Sequence, residues 1–303
     1  MALALMPRHL AAGLLGMVAT LLVSGCASLP SSVDDRPSSS EQSLTIPDRL
    51  REAGTAMRDG RMEEAARRYR EVLAVEPEHA EAMLGLATVE SGMRRWGLAE
   101  PLYSRLIKRD ERHVDALEGR GLCLIRLRNP AAAKVDLEQA VSTDPTRWRA
   151  WQGLGLVADL ARDGAAAEAA YRKALGIMPA HPGLLNNLGY SLILSRRFDE
   201  AERVLREGVR YAPTDARLQG NLAMAVAWQG RYEEALKLLP AETDGEVASA
   251  HNDIGYIAMQ RNDLPSAIRL FEKALKVSPT YHVRAAENLE RARGLLRVTP
   301  AAN

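Results

Sequence analysis

Along most of the chain, small and apolar residues recur in one fixed order. An alanine is followed four residues on by an aromatic residue or leucine, three further by another small or apolar residue, and five further by proline. Ala167, Tyr171, Ala174 and Pro179 fill these places, as do Ala65, Tyr69, Val72 and Pro77, and Ala133, Leu137, Ala140 and Pro145. Ala201, Leu205, Gly208 and Pro213 repeat the order, then Ala267, Phe271, Ala274 and Pro279. Steps of four and three put the apolar members on one helix face, and the proline ends the helix because its ring cannot continue it. Upstream in each unit a small residue sits beside leucine or isoleucine, as in Leu86-Ala87, Leu154-Gly155, Leu188-Gly189, Leu222-Ala223 and Ile254-Gly255. This marks a first helix able to approach the second closely through Ala99, Ala133, Ala167, Ala201, Ala235 and Ala267.

The prolines at 145, 179 and 213 are 34 residues apart, the period of a tetratricopeptide repeat (TPR). The pattern predicts an all-α TPR solenoid, a right-handed superhelix of helix-turn-helix repeats. They fall at 46–79, 80–113, 114–147, 148–181, 182–215, 216–247 and 248–281, with a capping helix over 282–297 and a tail at 298–303. Helices of about a dozen residues are marginal alone in water, so stability must come from stacking. Two units depart from the pattern: Glu111 stands where proline is expected, and the 216–247 unit is two residues short, with Pro240 interrupting its second helix. The latter predicts a change of superhelical pitch near Pro240 to Glu246.

The N-terminus has a different character. Arg8 precedes an apolar run from Leu10 to Val23, which ends in Ser24-Gly25-Cys26, the arrangement of a signal peptide over 1–25. Small residues before the cysteine resemble the lipobox of bacterial lipoproteins, which implies a lipid (palmitate) on Cys26 and, with Ala27 following, sorting to the outer membrane. An ordinary secreted protein with an incidental cysteine is the alternative. Residues 26–45, rich in Ser, Pro and Asp, lack apolar periodicity and are expected to be a disordered tether reaching up to roughly 60 Å.

Charge is nearly balanced, with 40 Lys and Arg against 39 Asp and Glu, so nothing points to a nucleic-acid partner. With Cys26 lipidated, Cys123 in the run Leu122 to Ile125 would be the one remaining thiol, a small buried hydrophobe. Catalytic patterns are missing: the sequence has no phosphate loop ending in Lys-Ser/Thr, no zincin histidine pair and no nucleophile elbow. No enzyme activity, cofactor or metal is therefore expected. Gly153-Leu-Gly155-Leu-Val-Ala158 spells a dinucleotide fingerprint, but inside a helical unit with no strand before it. His79, His113 and His181 share the last repeat position, too far apart to converge on one ion, and are expected at turns. Arg67, Arg68, Arg70, Arg94 and Arg95 are expected on solvated helix faces.

What remains is a surface. One stripe of the first helices carries Asn186, Tyr190 and Ile193, then Met224, Ala227 and Trp228, then Asn252, Tyr256 and Met259. These are the expected lining of a concave groove that holds a peptide of a protein partner; the other possibility is a layer packed against the next repeat. Asparagine can hold an extended backbone by donor and acceptor, while Tyr, Trp and Met supply adaptable apolar area. The basic residues of a chaperone-type carboxylate clamp are missing from this stripe.

The segments Leu184 to Tyr190, Phe198 to Glu202, Leu218 to Ala223 and His251 to Tyr256 resemble the TadD-type TPR lipoproteins of the tight-adherence (Tad/Flp) pilus system. The resemblance covers most of the chain from about Ala150 onward, plus the lipobox. It implies a non-enzymatic assembly factor, lipid-anchored on the periplasmic face of the outer membrane, that helps a secretin or another pilus component localise. PilF-type pilotins of type IV pili and envelope adaptors that recruit a protease or a peptidoglycan enzyme remain open beside it.

Overall fold

The computed structural model describes residues 44–240, 243–278, 280 and 282–298. The expected signal peptide, Cys26 and nearly all of the tether lie outside the described residues, as does Pro279. No described helix is long and apolar enough to cross a membrane.

Residues 45–303 form one compact unit. Among the described residues it contains fifteen helices and no strand. The first helices of the pairs are α1 (Ile46–Arg58), α3 (Ala80–Gly92), α5 (Val114–Arg126), α7 (Trp148–Leu160), α9 (Pro182–Leu194), α11 (Ala216–Trp228) and α13 (Asp244–Gln260). The second helices are α2 (Met62–Val75), α4 (Trp96–Arg109), α6 (Pro130–Thr143), α8 (Gly164–Ile177), α10 (Phe198–Tyr211), α12 (Tyr232–Leu238) and α14 (Leu264–Val277); α15 (Val283–Val298) closes the array. Each helix packs on its chain neighbours. Each first helix also packs closely on the first helix of the next repeat, whereas the backbones of the described second helices stand farther apart and are bridged only by long side chains, Arg206 with Glu234 and Lys273 with Glu233. The first helices therefore form the tighter, inner layer, and the second helices splay outward.

Close packing rests on small side chains. Ala99, Ala133, Ala167, Ala201, Ala235 and Ala267 are all fully buried where paired helices cross. The aromatic and leucine places of the pattern, Tyr69, Leu137, Tyr171, Leu205 and Phe271, lie between the helices as core residues. Tyr171 fills the space that Gly155 leaves open; a Cβ on that glycine would lie 2.4 Å from the ring. The glycines of the apparent dinucleotide fingerprint are thus packing residues within α7.

Position 15 of every repeat, the link between its two helices, adopts a left-handed backbone. It is Gly60, Arg94, Arg128, Arg162, Arg196, Gly230 and Asn262 in turn. Glycine takes this conformation freely and asparagine tolerates it, whereas arginine pays roughly 1 kcal/mol or more each time. The three histidines cap helices: Nδ1 of His79, His113 and His181 accepts from the backbone N–H of Ala82, Ala116 and Leu184 at 3.3, 3.4 and 3.3 Å. Arg68, Arg70 and Arg95 are tied into ion pairs with Glu52, Glu90 and Glu63.

Without a proline near Glu111, α4 still ends at Arg109, where the Asp110 carboxylate accepts from the Arg112 N–H at 2.9 Å in a side-chain turn. In the sixth repeat α12 has only 7 residues and stops before Pro240. The chain recovers through α13, which is 17 residues long and begins with a reciprocal capping box between Thr243 and Glu246.

Candidate partner-binding groove

The inner face formed by the first helices has a polar ladder. Asn221 Nδ2 donates to Asn186 Oδ1 at 2.8 Å, joining α11 to α9, and Asn288 Nδ2 donates to Asn252 Oδ1 at 3.0 Å, joining α15 to α13. Asn186 and Asn221 are 35 residues apart and Asn252 and Asn288 are 36 apart, so the partners stand one and two places out of step with the 34-residue period. Asn186 is half-buried, with its amide donors uncommitted among the described residues; Asn252 is buried and also donates to Asp253. Asn221 and Asn288, which complete the ladder, were missed by the groove stripe, although Leu218-Gln-Gly-Asn221 carries the signal.

The remaining expected residues divide. Tyr190 and Tyr256 are half-exposed, and neither hydroxyl has a hydrogen-bond partner among the described residues. Met224 is half-exposed and rests on the core, while Trp228 stacks on Phe198 with ring centroids 5.3 Å apart and planes 3° from parallel. Ile193 and Met259 are a correction. Both are only 6 % exposed, inside the apolar cluster that joins repeats four to seven. Their place, one helical turn beyond the tyrosines, lies against the neighbouring helices, so they hold repeats together and offer no contact area to a partner. Asn252 is likewise corrected from a lining side chain to an inter-repeat bond.

The equivalent of Ile193 in α7 is Asp159. Its carboxylate accepts from Tyr171 Oη at 2.8 Å and from Ser191 Oγ at 2.6 Å, linking α7, α8 and α9. Burial pushes its pKa above the usual carboxylate range, against the lowering effect of the two hydroxyls. Glu118, also facing inward, is raised by the same cause. A carboxyl that holds its proton more tightly folded than unfolded contributes stability below its unfolded value, and loses it as pH rises toward the folded value. Asp159→Asn is therefore expected to equal or exceed wild type in urea midpoint at neutral pH, with the difference shrinking as pH falls toward 4, the ordinary carboxylate region. A difference independent of pH would refute that reading.

Cys123 is buried, 3.2 Å from Ser91 Oγ, and its thiol pKa is pushed up by burial. No group of three potential metal ligands occurs among the described residues.

The paired helices, nearest-neighbour stacking and open inner face define a helical-repeat scaffold whose working feature is a surface. Tetratricopeptide-repeat models match residues 56–121 and 160–224, 124–183, 216–240 and 248–281, and the chain belongs to the tetratricopeptide-repeat family. Such repeats are protein-interaction scaffolds that bind protein partners or peptides. No curated protein matches by sequence. Among solved structures the chain is similar to PilW, described as a widely conserved type IV pilus biogenesis factor, with TM-score 0.59 and 17% identity over 64% of this chain and 90% of that one. It is also similar to Pseudomonas aeruginosa PilF, with TM-score 0.53 and 18% identity over 81% and 97% of the two chains. A tetratricopeptide repeat protein from Parabacteroides merdae gives TM-score 0.56 and 16% identity over 82% and 98%. At these identities the likeness is one of fold.

Proposed function

We propose that this protein is a non-enzymatic TPR scaffold that assists assembly or localisation of the Tad/Flp pilus machinery at the outer membrane, holding an extended segment of a secretin or other pilus component in its inner groove. The supporting observation is the half-exposed tyrosine pair at equivalent positions of α9 and α13, each one helical turn from a ladder asparagine, Asn186 or Asn252, and with no hydrogen-bond partner for either hydroxyl among the described residues. Aromatic area with free polar groups suits a peptide backbone and its side chains. Type IV pilus factors among the proteins of similar fold favour pilus assembly as the setting. The sequence segments that resemble TadD-type lipoproteins favour the Tad system within it. An envelope adaptor that recruits a protease or a peptidoglycan enzyme would use the same groove.

In this reading Cys26 carries the lipid anchor. Cys26→Ser is expected to abolish labelling by a palmitate analogue and to move the protein out of the outer-membrane fraction. Retention there without label would remove the anchor from the proposal. Affinity capture with a cross-linker, followed by identification of the captured peptides, separates a secretin or pilus component from an envelope hydrolase.

A further inference from the structure

The tips of repeats two to five carry a row of cations with no structural employment. Arg94, Arg128, Arg162 and Arg196 occupy the left-handed link position in four consecutive repeats, all exposed, and none makes a side-chain hydrogen bond or ion pair among the described residues. The same link is Gly60, Gly230 and Asn262 elsewhere, residues that suit the backbone better. Arginine is thus used four times where local conformation disfavours it and no partner within the described chain explains it. Carboxylates near this edge are largely engaged. Glu63 pairs with Arg95, Glu168 and Glu200 pair with Arg197, and Asp163 caps the Ala166 N–H; Asp199 makes no ion pair among the described residues.

Exposed leucines accompany the arginines. Leu127, Leu160 and Leu194 are 43, 62 and 53 % exposed, one or two residues before Arg128, Arg162 and Arg196. Because consecutive first helices touch, equivalent positions lie roughly 10 Å apart. That is about the screening length at physiological salt, so the row forms without severe self-repulsion while each guanidinium keeps a local anion within reach.

We infer that this turn edge is a membrane-contact surface for anionic, phosphate-bearing lipid headgroups, with arginines on the phosphates and leucines among the upper acyl segments. A protruding row of helix-turn tips lacks the concavity and free backbone groups that grip a peptide, whereas a bilayer accepts protruding apolar side chains flanked by guanidinium groups. The edge is independent of the inner groove and of the anchor.

Residues 45–303, which form a compact unit of their own and lack Cys26, allow the test. They are expected to float with phosphatidylcholine vesicles containing phosphatidylglycerol, to bind pure phosphatidylcholine far more weakly, and to be released by salt. Replacing all four arginines by asparagine, the residue at the same link in repeat seven, should leave helicity unchanged. Binding should fall about fivefold per arginine, several hundredfold in all. If that variant loses helicity, Arg128→Gly with Arg162→Gly, matching Gly60 and Gly230, should still lower binding roughly twenty-five-fold. Leu160→Ser with Leu194→Ser should weaken binding to anionic vesicles while keeping its salt dependence. Equal binding to neutral and anionic vesicles, or undiminished binding by a folded four-asparagine variant, overturns the inference. Capture of poly-glutamate with no vesicle binding also overturns it and assigns the row to an acidic protein partner.

Discussion

Tyr171→Ala is expected to cost about 3–5 kcal/mol and to split the array into separately unfolding parts. The ring is fully buried beside Gly155, and its hydroxyl donates to Asp159, which in turn accepts from Ser191. Truncation removes aromatic packing between α7 and α8 and takes one of two donors from a carboxylate whose pKa burial already raises. Each repeat contacts only its neighbours, so a weakened fourth repeat interrupts the coupling between repeats one to three and five to seven. Urea unfolding followed by circular dichroism should change from one transition to two, with the first midpoint well below that of wild type. Tyr171→Phe isolates the hydroxyl and should cost about 1–3 kcal/mol while keeping one transition. A single transition with less than 1 kcal/mol lost in the alanine variant would mean that coupling runs through the inner layer and not through this ring.

Much of this packing was legible because it repeats. Ala167, Tyr171 and Ala174 announce a buried stripe by spacing alone, and the same spacing with different residues at Ala201, Leu205 and Gly208 yields the same burial. Pro240 likewise announces the short α12, and the Thr243 to Glu246 capping box that starts the long α13 was present in the sequence as a start signal. The groove was less legible. Tyr190 and Ile193 share one helix face at a spacing of three, yet only the tyrosine is accessible, because burial of the next turn depends on how neighbouring first helices cross. Helical periodicity locates a face but not its edge. Inter-repeat bonds were hidden for a related reason: Arg197 with Glu168 and Arg231 with Glu202 are each 29 residues apart, and stacking alone brings them together. The left-handed arginines were hidden because Arg94 to Arg196 carry no local sign of that backbone; Gly60, Gly230 and Asn262 at the same place in the repeat did carry it.

Tyr190→Ala together with Tyr256→Ala is expected to separate folding from binding. Both rings are half-exposed on the inner face, neither hydroxyl has a hydrogen-bond partner among the described residues, and the first helices that carry them are held by residues such as Leu188, Leu192, Ile254 and Ala258. Removing them should leave helical content and the urea transition close to wild type, with a modest loss at Tyr256, which leans on the core. Partner capture should weaken by more than about 2 kcal/mol, roughly thirtyfold, because aromatic anchors commonly carry that much of an interface. In cells the double variant should lose surface pili, or a correctly placed secretin, to the same degree as a deletion strain. Normal pili and secretin in both strains would remove the Tad assignment and leave the general adaptor reading, tested by the same cross-linking capture. An unfolded double variant would place these rings with Ile193 and Met259 as inter-repeat packing, and the groove would then have to be carried by Asn186, Asn221 and Met224. The four-asparagine edge variant supplies the internal control. It should keep full partner capture while losing lipid contact, so failure of the groove and failure of the edge are read from different measurements on the same folded array.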